Sequence, residues 1–168
     1  MTEANPNSLP THMLALGSEK NGEPFNEPWN YRTICGMLLY LSTNTRPDIS
    51  FAVSQVCRFS ANPKKSHGTA VKMILRYLKK TTEQGLIIKP NRTQFNLDMY
   101  VDADFCGLYG REETADPMSV RSRTGYIVIL GGWSIIWKSQ LQQSATLSTT
   151  EAEYVALSNS LKAFLPLK

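Results

Sequence analysis

What this chain of 168 residues lacks removes several classes of explanation. Cysteine occurs three times, at Cys35, Cys57 and Cys106, far apart and without a C-x-x-C spacing. That pattern argues against a disulfide framework or a cysteine zinc site and favours a reducing compartment. Histidine occurs twice, at His12 and His67, which excludes a histidine-rich metal centre. No apolar run approaches the ~20 residues needed to span a bilayer, so no membrane partner is expected. The opening Met1-Thr2-Glu3-Ala4-Asn5-Pro6 lacks the charged-then-apolar pattern of a secretion signal. Asp-Thr-Gly and Asp-Ser-Gly are both absent, which removes an aspartic-protease centre. Finally, no acidic residue follows Glu153.

What is present is ordinary in bulk. The hydrophobic share is 42% and the net charge is +4, with a pI near 9.0. A mild basic excess is compatible with a polyanionic partner without requiring one. The length allows one domain, or one domain with a small subdomain.

Three regions differ in pattern. Residues 1–28 carry Pro6, Pro10, Gly17, Gly22, Pro24 and Pro28 among polar residues, the composition of an exposed, weakly ordered lead-in, with Met13, Leu14 and Leu16 packing locally. Residues 29–82 read as helical. Ile34, Met37, Leu38 and Leu41 recur at steps of three and four, and a second helix, capped by Asn44 or Thr45 and admitting Pro47 in its first turn, carries Ile49, Ala52, Val53, Val56 and Phe59 on one face. A third helix from Ser66 to Lys80 has Val71, Ile74, Leu75 and Leu78 on its apolar side. Its other side carries Lys72, Arg76, Lys79 and Lys80, a stripe that is either a solvated face or a contact to nucleic-acid phosphates.

From residue 83 the period changes to two. Leu86-Ile87-Ile88 reads as a short strand ending at Pro90-Asn91. Phe95 to Asp102 alternates, with Phe95, Leu97, Met99 and Val101 on one face and Asn96, Asp98, Tyr100 and Asp102 on the other. A long polar loop, 106–120, leads to the strand Tyr126–Leu130. Gly131-Gly132 makes a hairpin turn, and Ser134–Gln140 returns. A helix from about Thr149 would bury Tyr154, Leu157, Leu161, Phe164 and Leu165. The expected class is α+β: a helical segment, an antiparallel sheet of three or four strands, then one helix.

Two acidic segments stand out: Tyr100-Val101-Asp102-Ala103-Asp104 at a strand end, and Ser148-Thr149-Thr150-Glu151-Ala152-Glu153-Tyr154 at a helix start. Carboxylates gathered from such places can hold hard divalent cations for phosphodiester chemistry. Each acid also has a plain structural reading. Asp102 is then an ordinary strand-end aspartate. Ser148 with Glu151, and Thr150 with Glu153, both fit the S/T-x-x-E capping box.

At these residues the chain resembles copia-type LTR retrotransposon polyproteins. Tyr31-Arg32-Thr33-Ile34-Cys35-Gly36-Met37-Leu38-Leu39-Tyr40-Leu41, Thr45-Arg46-Pro47-Asp48-Ile49-Ser50-Phe51-Ala52-Val53 and Ile74-Leu75-Arg76-Tyr77-Leu78-Lys79 resemble the region after the reverse transcriptase. The two acidic segments and Ser122-Arg123-Thr124-Gly125-Tyr126 resemble the ribonuclease H domain that follows. The resemblance implies an incomplete RNase H-like fold over 83–168, preceded by a connection segment over 29–82. The implied parent activity is hydrolysis of RNA in RNA–DNA hybrids, using two magnesium or manganese ions. It further implies Asp102 and Glu153 as catalytic metal ligands, with Asp104 as an outer candidate and Glu151 as the cap. The implied partners are nucleic acid, contacted through Lys72, Arg76, Lys79 and Lys80, and an upstream reverse-transcriptase domain. The implied location is a cytoplasmic particle or the nucleus.

Tyr100 to Asp104 also looks like the Tyr-x-Asp-Asp hairpin of polymerase centres, but Ala103 separates its two acids. The family's site uses further carboxylates from a later strand and helix, and the expectation is therefore of a truncated polyprotein fragment, inactive by itself. Without a fourth strand, Phe95–Val101 would lie at an unpaired edge. The alternative is a non-catalytic nucleic-acid-binding or connecting module.

Overall fold

The computed structural model describes residues 5–11, 15–88, 95–112 and 115–168. The chain divides into two compact units, Met1–Gly85 and Leu86–Lys168.

The first unit is built on three helices: α1 (Tyr31–Asn44), α2 (Ser50–Cys57) and α3 (Lys65–Lys80). Asn30 caps α1, its side chain accepting from the Thr33 amide, which satisfies one of the donors a helix start leaves unpaired. Between α1 and α2 the chain makes one 3₁₀ turn, Pro47–Ile49, with Pro47 at its start, where a missing amide costs nothing. Asn44 does not cap α2; it ends α1, donating to the Tyr40 carbonyl at 2.7 Å. The core is Tyr31, Cys35 and Leu38 from α1, Ile49, Ala52, Val53 and Val56 from the second segment, and Val71 and Ile74 from α3. The inward face of α1 is thus turned from the expected Ile34–Met37–Leu38–Leu41, and Met37 and Leu41 are exposed. The Tyr31 hydroxyl donates to the Val56 carbonyl at 2.8 Å and ties α1 to α2.

The lead-in differs most from its composition. Leu16 and Phe25 pack against the core. The Phe25 ring stands edge-on to Trp29 at 4.7 Å and occupies the space above Gly68, where a Cβ would come within 2.8 Å of it. The backbone is also fixed: Lys65 N–H donates to Glu23 O at 2.9 Å and Phe25 N–H to Pro63 O at 3.2 Å. His67, fully buried, reaches the Gly17 carbonyl at 2.8 Å. Met13 and Leu14 lie outside the described residues.

The second unit is a three-stranded antiparallel sheet, β1 (Leu97–Asp104), β2 (Arg123–Leu130) and β3 (Trp133–Leu141), in the order β1-β2-β3. Helix α4 (Thr149–Phe164) lies against β1 and β2. Gly131 and Gly132 have φ of 57° and 91°, the positive pair that a two-residue hairpin turn of the right twist needs. Among the described residues β1 is an edge strand. Leu86–Ile88 is not a strand but exposed irregular chain, and Pro90-Asn91 lies outside the described residues.

Helix α4 corrects a second expectation. Its buried row is Ala152, Ala156 and Ser160, at steps of four. Tyr154, Leu157 and Leu165 are 69%, 42% and 58% exposed. The helix meets the sheet through small side chains, which let the two backbones approach closely; of the expected apolar face only Leu161 and Phe164 are half-buried. No helix is long and apolar enough to cross a membrane among the described residues.

Candidate functional site

The strand pairing fixes where the acids of β1 point. Asp102 pairs with Gly125 and Asp104 with Arg123. Side chains alternate along a strand, so Asp98, Tyr100, Asp102 and Asp104 form one exposed row and Leu97, Met99, Val101 and Ala103 the half-buried one. The half-buried row faces α4. Ala103 pairs with Thr124, Thr124 accepts from Gln142 Nε2 at 3.2 Å, and the same nitrogen donates to the Ala152 carbonyl of α4 at 2.9 Å. Asp102 and Asp104 therefore belong to the sheet face away from α4.

At the start of α4 the two glutamates separate. Ser148 caps the helix, accepting from the Glu151 amide at 3.1 Å. The Glu151 carboxylate reaches back and accepts from the Leu147 amide at 2.7 Å, so Glu151 is engaged at the helix entry. Glu153 has no part in the cap. It borders an open cleft of about 520 Å³ with Val101, Thr149, Thr150, Tyr154 and Leu157.

Glu153 thus stands beside Val101, the chain neighbour of Asp102, and both candidate ligands lie at one end of the unit. Asp102 leaves β1 on the face away from α4, whereas Glu153 rises from α4 itself. Among the described residues no group of three or more His, Cys, Asp or Glu side chains comes together to hold a metal ion. The donor set fits magnesium or manganese in kind, as hard oxygen.

Asp104 has a distinct setting. Its carboxylate lies over Gly107, where an added Cβ would fall 2.0 Å from Oδ2. Gly107→Ala is expected to swing this exposed side chain aside at little cost in stability, because only the end of a rotatable group must move. Backbone and side-chain NMR shifts that change at Asp104, with an unfolding midpoint held within a few degrees, would bear this out. A large loss of stability would mean that the turn itself depends on Gly107.

The basic face of α3 is partly neutralised. Lys72 pairs with Glu27 at 2.6 Å, and the Arg76 Nε donates to the Asn5 carbonyl. Lys65, which sequence reasoning did not single out, pairs with Glu23 at 2.6 Å; the hydrogen bond and charge of Lys65 hold the Glu23 carboxyl below its ordinary value. Lys79 and Lys80, in the last turn, are exposed. The missed signal was the acid spacing: Glu23 and Glu27 differ by four residues, and their partners lie 42 and 45 residues away.

Sequence comparison finds relatives over nearly the whole chain. It is 38% identical over 160 residues to the retrovirus-related Pol polyprotein from transposon RE1 of Arabidopsis thaliana, covering 95% of this chain and 10% of that one. It is 42% identical over 160 residues to the retrovirus-related Pol polyprotein from transposon TNT 1-94 of Nicotiana tabacum, covering 95% of this chain and 11% of that one. A shorter relative, secreted RxLR effector protein 161 of Plasmopara viticola, is 38% identical over 130 residues, 77% of this chain and 85% of its own. The chain spans about a tenth of the length of the Pol polyproteins it matches. No protein-family model and no solved structure matches it.

Proposed function

This chain belongs to the copia-type retrovirus-related Pol polyproteins of transposons, and we propose that it is the part of such a polyprotein that runs from the end of the reverse transcriptase into its ribonuclease H region. The observation that carries this reading is the order of parts in the second unit: a strand ending in Asp102 and Asp104, a hairpin, and a helix entered through Ser148 with Glu151 and Glu153 in its first turns, laid on that strand. The activity of the region is then metal-dependent hydrolysis of RNA in RNA–DNA hybrids. Asp102 and Glu153 would help hold magnesium or manganese, which when bound would supply Lewis-acid chemistry for phosphodiester cleavage. Asp102 of β1 and Glu153 of α4 would contribute two of the carboxylates, and further donors would have to join them, because no group of three or more such side chains comes together among the described residues.

In a parent polyprotein that cleaves hybrids, Asp102→Asn and Glu153→Gln are each expected to lower magnesium-dependent cleavage by about a hundredfold or more. Glu151→Gln should leave it within a few-fold, since its carboxylate serves the helix entry. The purified chain alone should give no turnover. Equal losses from both glutamate changes would overturn the assignment of Glu153. Robust cleavage by the chain alone would show that its own carboxylates suffice.

A separate observation favours a nucleic-acid-binding role for the first unit. Residues 1–85 hold ten basic and six acidic residues, and residues 86–168 eight of each. The whole net charge of +4 therefore resides in the helical unit, a distribution suited to phosphate contact.

A further inference from the structure

Charge is divided within the helical unit itself. Residues 1–28 carry four acids and one base, whereas residues 29–85 carry nine bases and two acids. The acidic piece lies along the basic one. Lys65, Lys72 and Arg76 follow one another at steps of seven and four, which places them on one side of α3. Glu23 meets Lys65, Glu27 meets Lys72, and the Asn5 carbonyl meets the Arg76 guanidinium. Asn7 N–H donates to the Arg76 carbonyl at 3.3 Å.

These ion pairs are not what holds the segment down. The hold comes from the Phe25 ring over Gly68, its edge contacts with Trp29 and Tyr31, and the backbone bonds of Glu23 and Phe25 to Lys65 and Pro63. Glu23 and Lys65 are mostly exposed, and Glu27 and Lys72 are partly so; exposed pairs of this kind add at most about 1 kcal/mol. Their larger consequence is electrostatic. Each carboxylate occupies a lysine that would otherwise be open to an anion, and the side chains can part without any movement of the backbone.

We propose that residues 15–30 form an autoinhibitory strap, in which Glu23 and Glu27 occupy Lys65 and Lys72 in place of nucleic-acid phosphates. The inference rests on the nucleic-acid reading of the helical unit given above. It sets the affinity of that unit below what its cations would give, and it makes binding a competition between two fixed carboxylates and the phosphates of an incoming strand.

The test measures binding of a fluorescently labelled RNA–DNA hybrid by the full chain over a salt series, using wild type, the Glu23→Gln/Glu27→Gln double variant and Glu19→Gln. Glu19 is an exposed acid of the same segment and removes one charge away from both lysines. The double variant should bind at least about tenfold more tightly at 0.1 M salt, with a salt slope steeper by about two, as expected for two added phosphate contacts. Glu19→Gln should leave the slope unchanged. Wild type and double variant binding with one affinity and one slope would overturn the strap and leave the nucleic-acid reading standing. No binding by any of the three would overturn that reading and the strap with it. Hydrogen exchange at α3 should be the same in all three proteins; lost protection in the double variant would show that the acids hold the segment in place, and would also overturn the proposal.

Discussion

Replacing Arg46 with alanine should cost the helical unit about 2 kcal/mol, the order expected for removing a buried guanidinium that makes charge-assisted hydrogen bonds to a half-exposed carboxylate and to a buried threonine. Arg46 is only 8% exposed. Its Nε and Nη2 hold the Asp48 carboxylate in a two-bond fork at 3.0 and 2.7 Å. Its Nη1 donates to the Thr81 carbonyl at 3.1 Å and its Nη2 to Thr81 Oγ1 at 2.6 Å. Tyr77 closes the network, its hydroxyl donating to Asp48 at 2.8 Å while its ring lies under the guanidinium at 5.6 Å. One side chain thereby ties the turn between α1 and α2 to the last turn of α3. Hydrogen exchange of α3 amides in a urea series would measure the loss. Arg46→Lys should recover only part of it, because an ammonium cannot reproduce the fork. A cost below about 1 kcal/mol would put the network in the class of surface ion pairs.

The same network sets a pH dependence. Burial pushes the Asp48 carboxyl up, but the hydrogen bonds from Arg46 and Tyr77, with the guanidinium charge, outweigh it and leave the group below its ordinary value. A depressed folded-state pKa means that the unfolded chain takes up the proton first. The stabilisation is therefore complete above the unfolded value, near 3.8, and is lost as pH falls further through the folded one. Wild type should lose more stability than Arg46→Ala in that acid range.

The parts legible in the sequence were those written in local period. The alternation of Phe95 to Asp102 gave both rows of β1, and Gly131-Gly132 marked the turn that joins β2 to β3. The S/T-x-x-E spacings placed the entry of α4 but fitted Glu151 and Glu153 alike; Ser148 with Glu151 is the pair the helix uses. What was not legible depends on partners distant in the chain. Nothing near Arg46 announces Thr81, 35 residues on. The Pro- and Gly-rich composition of residues 1–28 describes how the segment would behave alone. It cannot reveal that Phe25 finds a flat seat at Gly68 or that Glu27 finds Lys72. The carboxylate pair shows the same limit. The family resemblance marks Asp102 and Glu153 as candidates, but only the parity of β1 against the position of α4 shows that Asp102 lies on the sheet face away from the helix that carries Glu153.

Ala156→Leu in α4 should cost the second unit about 3 kcal/mol, while Leu157→Ala should change its stability by no more than about 0.5 kcal/mol. A reading by hydrophobicity predicts the reverse, since it selects leucine as the inward residue. The structure inverts the choice because helix-to-sheet distance is set by the smallest residues on the contact row. Ala152, Ala156 and Ser160 are fully buried, and the Ala152 carbonyl accepts the Gln142 amide, which is itself bonded to Thr124 of β2. Three added carbons at position 156 have no space to enter, so the helix must lift and break that bridge. Leu157 is 42% exposed beside the Val101 cleft, and truncating it opens the cleft further without leaving a buried void. Chemical unfolding of the two variants, followed by hydrogen exchange of β2 amides, separates the alternatives. If Leu157→Ala proved the more damaging change, α4 would have to be turned by roughly one residue, about 100°, and Glu153 would no longer border the cleft beside Val101. The outcome therefore tests the helix face and the placement of the candidate ligand together.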